Sequence, residues 1–226
     1  YKDRILKIEN NLNTLSSSLE KYNRGERNPE LIFTIASKYT DRNETKIAKE
    51  YYIQLLNLYP NLDKEMAESA RFQLAYEDFK NGDVSSFNEF IDKFSTSDMA
   101  KNALSLMARY YKGENNQENE LKVYMRMLGL YPKDPSILNG YAWRMTELEL
   151  NLEDALIKAN DALKLVNDDK DFKVGILDTI AEILWKMGRL NEAILTIDEA
   201  LKIDSQNNYL IDQKLKFVNS KDTLGK

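Results

Sequence analysis

The sequence predicts an all-α chain built of stacked helical hairpins, and three observations carry that reading. First, Val174 to Asn207 holds two apolar-periodic segments joined by Lys186-Met187-Gly188-Arg189. One carries Leu177, Ile180, Ala181 and Leu184, the other Ala193, Ile197 and Ala200. Apolar residues at i, i+3, i+4 and i+7 form one stripe per helix, and neither stripe can be buried without a neighbour. Second, the phrases ASKY…LLNLYP and MARY…MLGLYP repeat this design upstream. Third, glycine (8) and proline (4) are scarce among 226 residues, as helices joined by short turns require.

In chain order, Asp3 to Tyr22 places Ile5, Ile8, Leu12, Leu15, Leu19 and Tyr22 at helical spacing among Lys, Glu, Asn and Ser. This narrow amphipathic helix is expected to pack on the end of the stack; the alternative is a linker helix reaching toward a preceding domain. From Pro29 the first hairpin carries Ile32, Ile35, Ala36 and Tyr39, then Ala48, Tyr52 and Leu55, ahead of Pro60. Pro29 suits a first helical turn behind an Asn28 cap. Ser69 to Phe94 form a degenerate unit, with Phe72, Leu74, Ala75 and Phe79 before Asn81-Gly82-Asp83 and Phe87, Phe90, Ile91 and Phe94 after it. Aromatic residues replace small ones there, and Asp63 to Glu68 lengthen its first helix.

From Lys101 the pattern returns with Leu104, Met107, Ala108 and Tyr111, then Tyr124 and Pro132. Glu120 and Met127 stand where small residues are wanted, so a looser hairpin is expected. From Pro135 come Leu138, Tyr141, Ala142 and Met145, then Ala155, Ala159 and Ala162, across a turn, Glu147 to Asn151, that looks longer than the pattern allows. The acidic loop Asn167 to Asp171 precedes the hairpin at 174–207, where Gly188 sits at a helix end that wants positive φ. Asn208 to Val218 reads as a closing helix, with Leu210, Ile211, Leu215 and Val218 covering the last apolar face.

Recurrence of this pattern at a period of about 34 residues resembles the tetratricopeptide repeat (TPR) family over Pro29 to Asn207. The resemblance implies a right-handed α-solenoid of about five TPR-like hairpins across 28–207, in units near 29–62, 63–99, 100–134, 135–167 and 172–207. Residues 1–27 would be an N-terminal capping helix and loop, and 208–226 a C-terminal capping helix and tail. It also implies that the first helix of each hairpin lines a concave groove. On that basis Phe33 and Ser37 face the groove from the first hairpin, and Phe72, Tyr76 and Phe79 from the second. The third adds Ser105, Arg109 and Lys112, the fourth Asn139 and Trp143, and the fifth Asp178, Glu182 and Trp185. Phe33, Phe72, Tyr76, Arg109, Lys112, Asn139, Trp143, Asp178, Glu182 and Trp185 are the candidate partner-binding residues. Both tryptophans fall on this face, and Trp and Arg are the residues most enriched at binding hot spots. The Lys-and-Asn pair with which some TPRs grip a chaperone's C-terminal carboxylate has no match in any of the five hairpins.

Residue types exclude much chemistry. Cysteine and histidine are absent, which removes disulfides, thiol nucleophiles, imidazole bases and the usual zinc sites. No Gly-rich phosphate loop or nucleophile elbow occurs. Asn167-Asp168-Asp169-Lys170-Asp171 lacks the alternating ligands and central Gly of a calcium loop. No enzyme activity, cofactor or metal is expected. The net charge of −5 is mild and both signs are interspersed, so nucleic acid is not an expected partner. No apolar run reaches a membrane span.

The expected function is a non-catalytic scaffold binding a protein or peptide partner. LNGYAW at 138–143 and LDTIAE at 177–182 also look similar to C-terminal TPR regions of bacterial exported proteins, some with an upstream thioredoxin-like domain. That resemblance implies an exported or periplasmic setting, with a cytoplasmic one still open. It also makes the accessory region of a larger redox protein an alternative reading, and the missing initiator Met reads as a mature form or a fragment. A third reading is a self-assembly module forming a homo-oligomer.

Overall fold

The computed structural model describes residues 14–224, with side chains through residue 220. All regular structure among the described residues is helical. Helix α1 spans 14–23, followed by α2 (Pro29–Asp41), α3 (Thr45–Leu58), α4 (Lys64–Lys80), α5 (Ser85–Lys93) and α6 (Asp98–Gly113). Then come α7 (Gln117–Leu130), α8 (Pro135–Leu148), α9 (Leu152–Leu165), α10 (Lys170–Lys186), α11 (Leu190–Ile203) and α12 (Asn208–Leu224). The chain forms two compact units that meet in sequence after Glu120.

In the first unit α2 pairs with α3 and α4 with α5. Ile32, Ile35, Ala36, Ala48, Tyr52 and Leu55 are buried as the periodicity requires. Asn28 caps α2 through its Oδ1, which accepts the Leu31 N–H at 2.8 Å. The early start of α4 is capped by Asp63, whose Oδ1 accepts the Met66 N–H at 3.0 Å. Ile5, Ile8 and Leu12 of the expected first helix lie outside the described residues. Its later residues, Leu15, Leu19 and Tyr22, pack against Leu31, Ile35, Tyr39 and Tyr51.

In the second unit α8 pairs with α9 and α10 with α11, and α10 also packs on both α8 and α9. Ala142, Ala155, Ala159, Ala162, Ala181, Ala193 and Ala200 are fully buried, and such small residues let two helix backbones approach closely. Met127 is buried too, as is Glu120, the last residue of the first unit. Helix α10 starts before Val174, because Asp169 in the acidic loop accepts the Phe172 N–H at 2.9 Å and caps it.

One turn closes α2, α4, α6, α8 and α10 alike. Asn43, Gly82, Asn115, Glu149 and Gly188 take left-handed φ values of 61°, 92°, 52°, 54° and 76°. The N–H of the following residue reaches back to the helix, as in Glu44 to Tyr39 O (2.9 Å), Leu150 to Met145 O (3.0 Å) and Arg189 to Leu184 O (2.8 Å). This bond satisfies a carbonyl that the helix end would otherwise leave without a donor. The α8–α9 turn is one residue longer, as expected: Ala155 follows Glu149 by six residues, where Ala193 follows Gly188 by five. Asn151, also left-handed at φ 47°, takes up the extra residue.

A Cβ at Gly188 would meet open space, so Gly188→Ala tests the conformation alone. It should lower stability by about 1 kcal/mol, whereas Gly140→Ala, within α8 and also in open space, should raise it by up to about 1 kcal/mol. Denaturant melts of the two variants check this, and equal shifts would refute it.

Helix α12 departs from expectation. Leu210 and Phe217 are its buried residues, while Ile211 and Leu215 are 39% and 53% exposed. Of the four residues read as covering the last hairpin, Leu210 is buried and Val218 half-buried, whereas Ile211 and Leu215 point largely to solvent, and Phe217 joins Leu210 in the covering. The helix also runs on past Val218 to Leu224.

Candidate functional site

The candidates in the first unit are held by ring packing. Phe33 is half-buried and meets Tyr52 of α3 edge-on, with centroids 5.9 Å apart. Phe72 stacks on Tyr76 at 6.1 Å and contacts Phe87 and Phe90 of α5 at 5.9 and 5.4 Å. These aromatic residues thus lean on their hairpin partners and present only part of their surface. Arg109 and Lys112 are exposed on α6, and the Arg109 Nε donates to Ser105 O at 3.4 Å. Open clefts of about 340 and 410 Å³ in this unit are lined by residues such as Arg71, Asp78 and Phe90, or Pro29, Tyr59 and Pro60, and contain none of the ten candidates.

In the second unit, α12 lies over the α10 face that carries Asp178, Glu182 and Trp185. The Tyr209 hydroxyl donates to Asp178 Oδ2 at 3.1 Å and accepts from Gln213 Nε2 at 2.8 Å. The Lys216 ammonium donates to Glu182 Oε2 at 2.6 Å and to Gln213 Oε1 at 3.1 Å. It also sits 4.0 Å from the centroid of the Trp185 ring. The Trp185 indole donates to Ser220 Oγ at 3.0 Å, and its ring lies 6.0 Å from that of Phe217. The expectation that these three residues line an open face is corrected: α12 covers them, because Leu210 and Phe217 anchor it there.

Burial raises the Asp178 pKa, Glu182 adds to the rise, and the Tyr209 hydrogen bond and Lys216 oppose it. Asp178 Oδ1 is buried without a hydrogen-bond partner, and so is Asn139 Oδ1 on α8. Trp143, one turn beyond Asn139, is 37% exposed. Of the two tryptophans, Trp143 is the open one and Trp185 the covered one.

Tyr209, Gln213, Lys216 and Ser220 were not among the residues expected at a site. Their signal was available in sequence, since continuing the repeat register past Asn207 makes α12 the first helix of another hairpin. Among the described residues no group of three or more His, Cys, Asp or Glu could hold a metal ion, and no helix is long and apolar enough to cross a membrane.

Residues 174–207 match the tetratricopeptide repeat. No curated protein sequence matches the chain. Among solved structures, BtubC from P. vanneervenii is similar at 15% identity, covering 89% of this chain and 91% of that one with a TM-score of 0.60. A tetratricopeptide repeat protein from Parabacteroides merdae is similar at 13% identity, over 84% of this chain and 72% of that one, with a TM-score of 0.59. MamA is similar at 14% identity, over 80% and 94%, with a TM-score of 0.55. At these identities the likeness is one of fold. The fold is of the TPR kind, and 174–207 match the repeat of that family.

Proposed function

We propose that this chain, whose fold is of the TPR kind, is a non-catalytic scaffold that binds a protein partner on the α8 face carrying Trp143. The observation that carries the reading is Trp143. Its large ring is 37% exposed on a helix whose other big apolar residues, Leu138, Tyr141 and Met145, are buried. Burying an indole against a partner gains a large apolar area while leaving a donor for a hydrogen bond, which is why tryptophan dominates hot spots.

Arg109 and Lys112, exposed on α6 of the first unit, are secondary candidates on their own unit. Phe33, Phe72 and Tyr76 contribute less, because each is half-buried against other rings.

Trp143→Ala should leave the melting transition within about 0.5 kcal/mol of wild type, as surface substitutions do. It should weaken a captured protein partner by at least about tenfold, the loss of roughly 1.4 kcal/mol expected of a hot-spot residue. Equal capture by the wild-type and Trp143→Ala chains would defeat the assignment of this face.

A further inference from the structure

Two carboxylates one helical turn apart on α10 lie under α12, and that helix brings one ammonium group for the pair. Asp178 and Glu182 are only 9% and 8% exposed. Lys216 donates to Glu182 Oε2 at 2.6 Å and to Gln213 Oε1 at 3.1 Å. Asp178 receives the Tyr209 hydroxyl on Oδ2 at 3.1 Å, while its Oδ1 is buried without a hydrogen-bond partner. With Asp178 ionised, Lys216 balances Glu182 and one buried negative charge is left over. That charge is out of water, has an acceptor oxygen unmet and stands beside a like charge at i+4, and each of these is costly. With Asp178 neutral, the same side chains carry no net charge and the shape of the interface is kept.

The groups that act most on Asp178 are Tyr209, Gln213 and Lys216 of α12 and Glu182 of α10. On the other helices packed against α10, charged and phenolic groups turn to partners of their own. Tyr141 of α8 bonds Asp154 of α9 at 2.8 Å, Arg144 of α8 bonds Glu147, and Asp198 of α11 pairs with Lys214 of α12. Burial holds the Asp178 carboxyl above its ordinary range, in line with this geometry, and Glu182 adds to the rise against the Tyr209 hydrogen bond and Lys216.

We propose that Asp178 is a proton-operated latch: taking up one proton from solvent tightens the docking of α12 on α10. A carboxyl held above its unfolded value of about 3.9 binds more protons in the folded chain than in the unfolded one. Its contribution to stability is therefore fully present at low pH and is lost as pH rises through the folded pKa. Below about pH 4 carboxylates in general protonate, so the latch works between that limit and neutral pH. Trp185 and Glu182 are then most firmly covered in mildly acidic solution and least so in neutral or alkaline solution.

The test uses the full chain carrying Trp143→Phe, which leaves Trp185 as the only tryptophan. Its indole is bonded to Ser220 and its ring lies against Phe217 and Lys216, all on α12, so its emission reports docking. Denaturant melts followed at Trp185 from about pH 7.5 to about pH 4.5 are compared with those of the same chain carrying Asp178→Asn, which stays uncharged. Relative to that chain, the unfolding constant should fall by at least about threefold as pH is lowered, since each unit of pKa rise is a tenfold factor. The Asp178 carboxyl carbon, titrated by NMR in the wild-type fold, should have its midpoint above about 4, and this decides the matter even if Asp178→Asn does not fold. Tyr209→Phe, which removes a hydrogen bond to the ionised form, should move that midpoint higher, a shift that a merely structural role would not produce. Superimposable pH dependence of the two chains, a carboxyl midpoint at or below about 4, or a midpoint lowered by Tyr209→Phe would overturn the latch.

Discussion

Phe217→Ala should cost the second unit about 3–5 kcal/mol and release α12 from α10. Phe217 is fully buried and, with Leu210, is one of two apolar anchors of the last helix. The remaining contacts of α12 with α10 are polar: Tyr209 to Asp178, Lys216 to Glu182, and Ser220 with Trp185. Exposed or half-exposed hydrogen bonds of this kind contribute about 1 kcal/mol each, so α12, still packed on α11 and paired through Lys214 to Asp198, should loosen chiefly over α10. The loss should appear in a denaturant melt and as faster hydrogen exchange at the Trp185 indole. Leu215→Ala and Ile211→Ala, on the exposed stripe, should each cost under about 0.5 kcal/mol. The reverse ranking would mean that α12 is turned the other way.

That contrast also separates what was legible in the sequence from what was not. α12 repeats α10 residue for residue: Leu210 and Phe217 answer to Ile176 and Ile183, and Ile211, Leu215 and Val218 to Leu177, Ala181 and Leu184. In α10 both stripes are buried, because α11 covers the second. Periodicity reports that a helix has two apolar stripes; it does not report whether a second helix follows to bury both. Of the expected inner face of α12, Leu210, Ile211, Leu215 and Val218, spacing placed Leu210 correctly and misplaced Ile211 and Leu215. The core alanines and the long α8–α9 turn were legible because spacing alone encodes them.

Turn residues divide in the same way. Gly82 and Gly188 announce a left-handed position by lacking a Cβ, but Asn43, Asn115 and Glu149 reach it only through the helix-end hydrogen bonds around them. At the candidate site, register alone placed Asn139 and Trp143 on one face. Covering of Asp178, Glu182 and Trp185 was hidden, because it depends on how a separate helix docks. The two unpartnered oxygens are a property of three-dimensional packing and have no signature in residue spacing at all.

Phe87→Ala carries the largest expected effect in the first unit, about 3–5 kcal/mol. In the hairpin register Phe87 stands where Ala48 and Ala193 stand, with a full ring in place of a methyl group. It is fully buried among Phe79, Phe72 and Tyr76, with ring centroids 4.6, 5.9 and 6.4 Å away. Such ring pairs add about 0.5–1.5 kcal/mol beyond the area they bury. Because α4 and α5 are spaced around that ring, alanine leaves a cavity that the helices can close only by giving up their other contacts. Phe87→Leu should recover a large part of the loss, since it keeps most of the buried carbon. Both tryptophans lie in the second unit, so circular dichroism or tyrosine resonances, and not tryptophan emission, are the appropriate readout. A loss as small as that of a surface substitution would mean that the ring cluster is not a core. Phe72 and Tyr76, which lean on Phe87, would then regain their standing as residues turned toward a partner.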